Sequence, residues 1–153
     1  MNRLLALSLV LATPAAAQSQ AETEVLGVVK AMLDVIRTKD VASVRQYVDS
    51  TTRFTLTRPT PDGGTRVVVL TGDQFLQNVG NPGGQPAVEL IRNPEVRIDG
   101  DLAQVWLEYQ FHVNGQMSHC GFDAFHLVKT GGGWKVVNIS DSFRRECGAM
   151  WKP

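Results

Sequence analysis

The chain has 153 residues, with 15 Lys and Arg balanced by 15 Asp and Glu, so its formal net charge is zero. Hydrophobic residues make up 43% of it, enough for one domain with a sizeable core. A neutral chain without a basic stripe argues against a nucleic acid partner and against an anionic membrane surface.

The N-terminus, MNRLLALSLVLATPAAAQSQ, has the parts of a secretory signal. Arg3 is a short positive region, and Leu4 to Ala12 is an apolar run too short to span a bilayer. Ala15, Ala16 and Ala17 supply small residues for cleavage after Ala17. The expected organisation is a signal peptide over 1–17 and a single domain over 18–153. The expected location is the bacterial periplasm or the medium. In that oxidising setting Cys120 and Cys147 are expected to form a disulfide. Closing a loop of this length is worth about 3 to 3.5 kcal/mol in the chain-entropy model.

Residues 22–37 repeat apolar side chains at helical spacing through Val25, Val28, Val29, Met32, Val35 and Ile36. Asp40 is a candidate N-cap for a second, shorter helix carrying Val41, Val44 and Val48. The period then changes to two. RFTLTR (53–58) and TRVVVLT (65–71) read as strands around the turn cluster PTPDGG. GDQFLQNV (72–79) reads as a short helix. The remainder reads as strand and hairpin. Residues 87–99 hold Pro94, which predicts a bend or an edge. Residues 102–113 alternate, with Val105, Leu107, Tyr109, Phe111 and Val113 on one face. Asn114-Gly115 is a strong hairpin signal. Strands over 117–129 and 134–143 follow, joined by TGGG. Helices first and antiparallel strands after predict an α+β fold, with helices laid on one face of a curved sheet.

The chemistry concentrates in HCGFDAFH, residues 119–126. On a helix His119, Asp123 and His126 would share a face and form a credible metal triad. On a strand they divide, with His119 and Asp123 on one side and Cys120 and His126 on the other. The triple-Gly turn that follows requires a hairpin partner, so the strand is the reading adopted and no metal is expected. A two-residue loop at Asn114-Gly115 pairs Phe111 with Ser118, Tyr109 with Cys120 and Leu107 with Phe122. The apolar face then continues through Cys120, Phe122, Ala124, His126 and Val128. The last hairpin sets His126 opposite Val137 and Phe122 opposite Asp141. His126 and Asp141, with Tyr109 beside them, thus become polar groups on an apolar inner face and candidates for the site. A slip of one residue in either turn would expose His119 and Asp123 to the pocket instead.

GGWKVVNISD, preceded by GFDAFHLVK, resembles the closing hairpin of the nuclear transport factor 2-like (SnoaL-like) superfamily. The resemblance covers residues 22–145. It implies a cone-shaped, cystatin-like α+β barrel with an apolar pocket between N-terminal helices and a curved antiparallel sheet. It also implies a homodimer through the outer sheet face, where Trp106, Val136 and Asn138 are expected. The superfamily includes isomerases, dehydratases, epoxide hydrolases, cyclases and binders without chemistry. Matched on the turn Asn114 to Gln116, the isomerase tyrosine falls near Met32, its base near Thr55 and its buried aspartate near Ala124. All three groups are missing, so isomerase chemistry lacks its machinery. A dehydratase-like site remains, with His126 as base, Asp141 orienting it and Tyr109 donating to a carbonyl. No G-x-S-x-G, phosphate loop or dinucleotide fingerprint occurs, and no cofactor is expected. Two readings result. One is a binder of a small hydrophobic ligand contacting Met32, Tyr109, Phe111, Phe122, His126 and Asp141. The other is a cofactor-free lyase or isomerase.

Overall fold

A computed structural model describes residues 14–148, with side chains from residue 20 onward. Most of the expected leader lies outside the described residues. Helix α1, Pro14–Thr38, presents Val25, Val28, Val29, Met32, Leu33 and Val35 as one buried stripe. Each such side chain contributes roughly 1.5–3 kcal/mol on burial. Lys39, at φ 59°, ends the helix and turns the chain into α2, Val41–Val44. Asp40 sits at the N-cap of α2, but its side chain makes no capping bond. Strands β1 (Arg53–Pro59) and β2 (Thr65–Thr71) form a hairpin, and α3 (Gly72–Val79) follows directly. Here Thr71 and Gln74 build a reciprocal capping box. The box fixes the angle at which α3 delivers Phe75 onto Phe54, with ring centroids 4.1 Å apart.

Strands β3 (Ala87–Asp99), β4 (Leu102–Val113), β5 (Gln116–Thr130) and β6 (Gly133–Asp141) complete one six-stranded sheet in the order β2-β1-β6-β5-β4-β3. Every pairing is antiparallel except β1 with β6. Helix α1 packs across the concave face against β3 and β6. The result is the mixed α+β architecture that the order of elements predicts. The bend at Pro94 takes the form of a bulge between Arg92 and Glu95, with Asn93 at φ 51°.

Two further bulges decide which side chains enter the core. At the β4–β5 turn Val113 pairs with Gln116 and His112 with Met117, as a two-residue loop requires. Ser118 is then an extra residue, and Phe111 pairs with His119 rather than with Ser118. From there the whole strand is displaced by one, so Tyr109 opposes Gly121 and Leu107 opposes Asp123. At the β5–β6 turn Lys129 pairs with Trp134 as expected, but Val137 bulges and His126 pairs with Asn138. The Val136 backbone explains this second bulge. Its N–H donates to the Tyr47 carbonyl at 2.9 Å, and its carbonyl accepts the Thr52 hydroxyl at 2.8 Å. The α2–β1 connection thus holds Val136 in place while β6 kinks past it.

The corrections follow from period two. The inward face of β5 is His119, Gly121, Asp123, Phe125 and Leu127. Phe122 lies outside and stacks on Trp106 at 5.2 Å. Val136 is a core residue at 2% exposure, whereas Val137 and Trp106 are exposed on the outer face. Trp134 is packed in the core. Cys120 and Cys147 are joined by a disulfide that ties the C-terminal segment to β5. No helix among the described residues is long and apolar enough to cross a membrane.

Candidate functional site: a carboxyl pair in the cone cavity

Between α1, α3 and the concave sheet lies a cavity of about 260 Å³. Its apolar wall comes from Met32, Leu33 and Ile36 on α1, Phe75 on α3, and Phe54 and Leu56 on β1. Phe111, Phe125 and Ile139 continue it across the sheet. Its polar wall is Arg58, Glu89, Tyr109, His119, Asp123 and Asp141. Each reaches the cavity because the pleat points it inward from β1, β3, β4, β5 or β6.

Glu89 and Asp123 form a side-chain hydrogen bond, which requires one of the two carboxyls to be protonated. Asp123 is only 4% exposed. Burial pushes its carboxyl well above the usual range, and the charge of Glu89 pushes it further. Burial likewise raises Glu89, to about 7, although the bond from Asp123 acts in the opposite direction. Two close carboxyls in a poorly solvated site resist losing both protons together.

Asp141 is held differently. It accepts from Arg58 Nη1 at 2.6 Å and from the Thr57 backbone N–H at 2.7 Å. The Arg58 guanidinium also lies over the Phe143 ring. This ion pair ties β1 to the end of β6. The Tyr109 hydroxyl donates to the Ser142 carbonyl at 2.8 Å, and burial pushes its own ionisation upward. The His119 ring is stacked on Phe143 at 4.4 Å and on Phe111 at 4.9 Å. Burial first, and Arg58 and Arg145 after it, lower His119 to about 4, so it is a neutral imidazole at pH 7.

Of the residues expected at the pocket, Met32, Tyr109, Phe111 and Asp141 line the cavity. His126 and Phe122 do not. His126 pairs with Gln104 and Asn138 on the outer face, so the expected His126–Asp141 pair does not form. The bulge at Ser118 is the cause, and it brings in His119 and Asp123, the outcome of a one-residue slip. Glu89 is missed by sequence reasoning altogether. Its only signal is position: a lone carboxylate in AVELI, between apolar neighbours near the end of a long strand. The isomerase comparison also changes in one respect. Asp123, next to Ala124, is a buried aspartate whose carboxyl is pushed up by burial, while Met32 and Thr55 supply neither the tyrosine nor the base. Among the described residues no group of three His, Cys, Asp or Glu side chains is arranged to hold a metal ion.

No family model matches the sequence, and no curated protein matches it. Solved structures do match. A protein of unknown function from Mycobacterium tuberculosis superposes with a TM-score of 0.69 at 14% identity, over 88% of this chain and 78% of its own. A nuclear transport factor 2-like superfamily protein from Salmonella enterica gives 0.64 at 20% identity, over 89% and 99%. A protein of unknown function with a cystatin-like fold from Nostoc punctiforme gives 0.63 at 11% identity, over 80% and 90%. At these identities the likeness establishes the fold: this chain has the nuclear transport factor 2-like, cystatin-like architecture.

Proposed function

We propose that this nuclear transport factor 2-like fold serves as an exported domain that binds a small, largely apolar molecule in its cone. The observation that carries the reading is the cavity itself. Its volume of about 260 Å³ lies just below the usual range of ligand pockets, room for a molecule of about one ring. Most of its wall is apolar, with the polar groups gathered on the sheet side. Support for export comes from the signal-like N-terminus and from the Cys120–Cys147 disulfide, a bond of oxidising compartments.

The test uses protein harvested from the periplasm of a bacterial host. Its intact mass is expected to match a chain starting at Gln18 with the two cysteines joined. Benzyl alcohol, titrated into it and followed by calorimetry, is expected to bind. Replacing Met32 by Trp fills the apolar wall and is expected to weaken that binding at least tenfold. Equal binding by wild type and Met32→Trp would end the cavity reading.

The carboxyl pair supports a second reading, a cofactor-free lyase or isomerase. Glu89, held near 7, is matched to proton transfer at neutral pH, and Asp123 keeps a proton to donate. Chemical conversion of a bound probe in the same experiment would move the assignment there. A second copy of the chain completes the proposal. Leu90, Trp106 and Val137 are exposed hydrophobic residues on the sheet, and they suit a homodimer through its outer face. Sedimentation is expected to return a dimer at micromolar concentration, and only monomer at high concentration would remove it.

A further inference from the structure

We propose that the cavity selects a small apolar amine, its ammonium seated against the Glu89 and Asp123 carboxyls and its body against Met32, Phe54 and Phe125. The proposal rests on the apolar-binding reading above and names the ligand class for that same cavity. Three carboxyls face the cavity, Glu89 from β3, Asp123 from β5 and Asp141 from β6. One cation faces it, Arg58 from β1, and its 2.6 Å bond goes to Asp141. His119 is neutral, Tyr109 is an un-ionised phenol, and α1 and α3 contribute only Met32, Leu33, Ile36 and Phe75. Once ionised, the Glu89–Asp123 pair has no bonded cation of its own among the described residues, and Arg58 acts on it only from its place beside Asp141. A buried charge in that condition is costly, and a cationic ligand removes the cost.

Asp123 sits where donors are scarce. It is more than nine-tenths buried, and its one hydrogen-bond partner among the described residues is the other carboxyl. The Thr57 N–H and the Arg58 guanidinium both go to Asp141 instead. Among the described residues the remaining lone pairs of the pair have no side-chain donor, which is what an ammonium with its three N–H groups supplies. The aromatic rings agree. Tyr109, Phe111 and His119 adjoin the pair, and ring faces attract cations. An anionic ligand would meet the pair's charge with Arg58 already engaged.

The pH dependence has a definite sign. Glu89, raised to about 7, is protonated near pH 5 and ionised by pH 8, while an alkylammonium remains protonated throughout. Amine affinity should therefore rise over this interval, and the affinity of a neutral isostere should not.

The experiment compares benzylamine with benzyl alcohol by calorimetry on the disulfide-bonded protein at pH 5 and pH 8. Benzylamine is expected to bind at least tenfold tighter than the alcohol at pH 8 and within about twofold of it at pH 5. In the double variant Glu89→Gln, Asp123→Asn the amine-over-alcohol ratio at pH 8 is expected to fall to within about twofold. Alcohol binding without amine preference on the wild type would overturn the proposal and leave the apolar-binding reading intact. A preference that survives the double variant, or that does not change with pH, would overturn it as well. Binding of neither probe would end both readings.

Discussion

Gly121→Ala is expected to destabilise the fold by about 3 kcal/mol or more, at the upper end of what overpacking costs. A Cβ at residue 121 would lie 1.9 Å from the Ser142 carbonyl oxygen and 2.8 Å from its carbonyl carbon. Neither atom belongs to a flexible side chain. The segment after β6 crosses β5 at this point and is fixed there by several bonds. Ser142 N–H donates to the Phe122 carbonyl, and Phe122 N–H donates to the Ser142 hydroxyl. Cys120 and Arg144 exchange both backbone bonds, and the disulfide follows at Cys147. The Tyr109 hydroxyl reaches over the missing side chain to the same Ser142 carbonyl. A methyl group must therefore displace the C-terminal segment and lift Phe143 off His119. Thermal unfolding should report a Tm lower by roughly 10 °C. Gly27→Ala is the control. It lies on the exposed side of α1 with nothing near its Cβ, and it should gain about 0.5–1 kcal/mol. A Gly121→Ala protein melting within 2 °C of wild type would mean that Ser142 does not cross at this residue.

Glu89→Gln is expected to stabilise the protein at alkaline pH and not at acid pH. The folded-state pKa of Glu89, about 7, lies above its ordinary value of 4.5. A raised carboxyl favours the folded state while protonated and penalises it once ionised. The penalty is absent below about pH 4.5, grows between 4.5 and 7, and is complete above 7. Its full size is about 3 kcal/mol for a shift of this order. Glutamine keeps the shape, cannot ionise, and donates an N–H to Asp123. Urea unfolding at pH 8 should therefore favour the variant by up to about 3 kcal/mol, and the gap should close at pH 4.5. His119 has the opposite slope, because its lowered pKa makes stability fall as pH drops from 6.5 towards 4. That slope is common to both proteins and cancels in the difference. A variant less stable than wild type at every pH would show that Glu89 is not the strained partner.

Much of the fold was legible because it is written in short-range terms. The stripe from Val25 to Val35, the alternation of 102–113 and the turn at Asn114-Gly115 each follow from residues a few positions apart. The site was less legible. Tyr109 enters the cavity on alternation alone, whereas Asp141 enters it because the Val137 bulge reverses the face set by Trp134 and Val136. His126 and Phe122 fail because each hairpin carries one extra residue, at Ser118 and at Val137, and a single insertion reverses every side chain beyond it. No residue type marks those bulges. Ser118 precedes a histidine whose ring fits between Phe111 and Phe143, and that fit exists only after the C-terminal segment has folded back.

The sequence by itself determined the α+β class, the order and bounds of the strands, the helix that closes the cone and the two cysteines that join. These depend on local period, turn chemistry and the number of thiols. Only the tertiary structure decided that Glu89 and Asp123 meet, that Asp141 belongs to Arg58, and that His126 faces outward. Glu89 and Asp123 lie 34 positions apart in the chain, on strands separated in the sheet by β4. Their mutual effect on ionisation is a property of burial and proximity, which arise when α1 closes over the concave sheet, burying Asp123 fully and Glu89 in part.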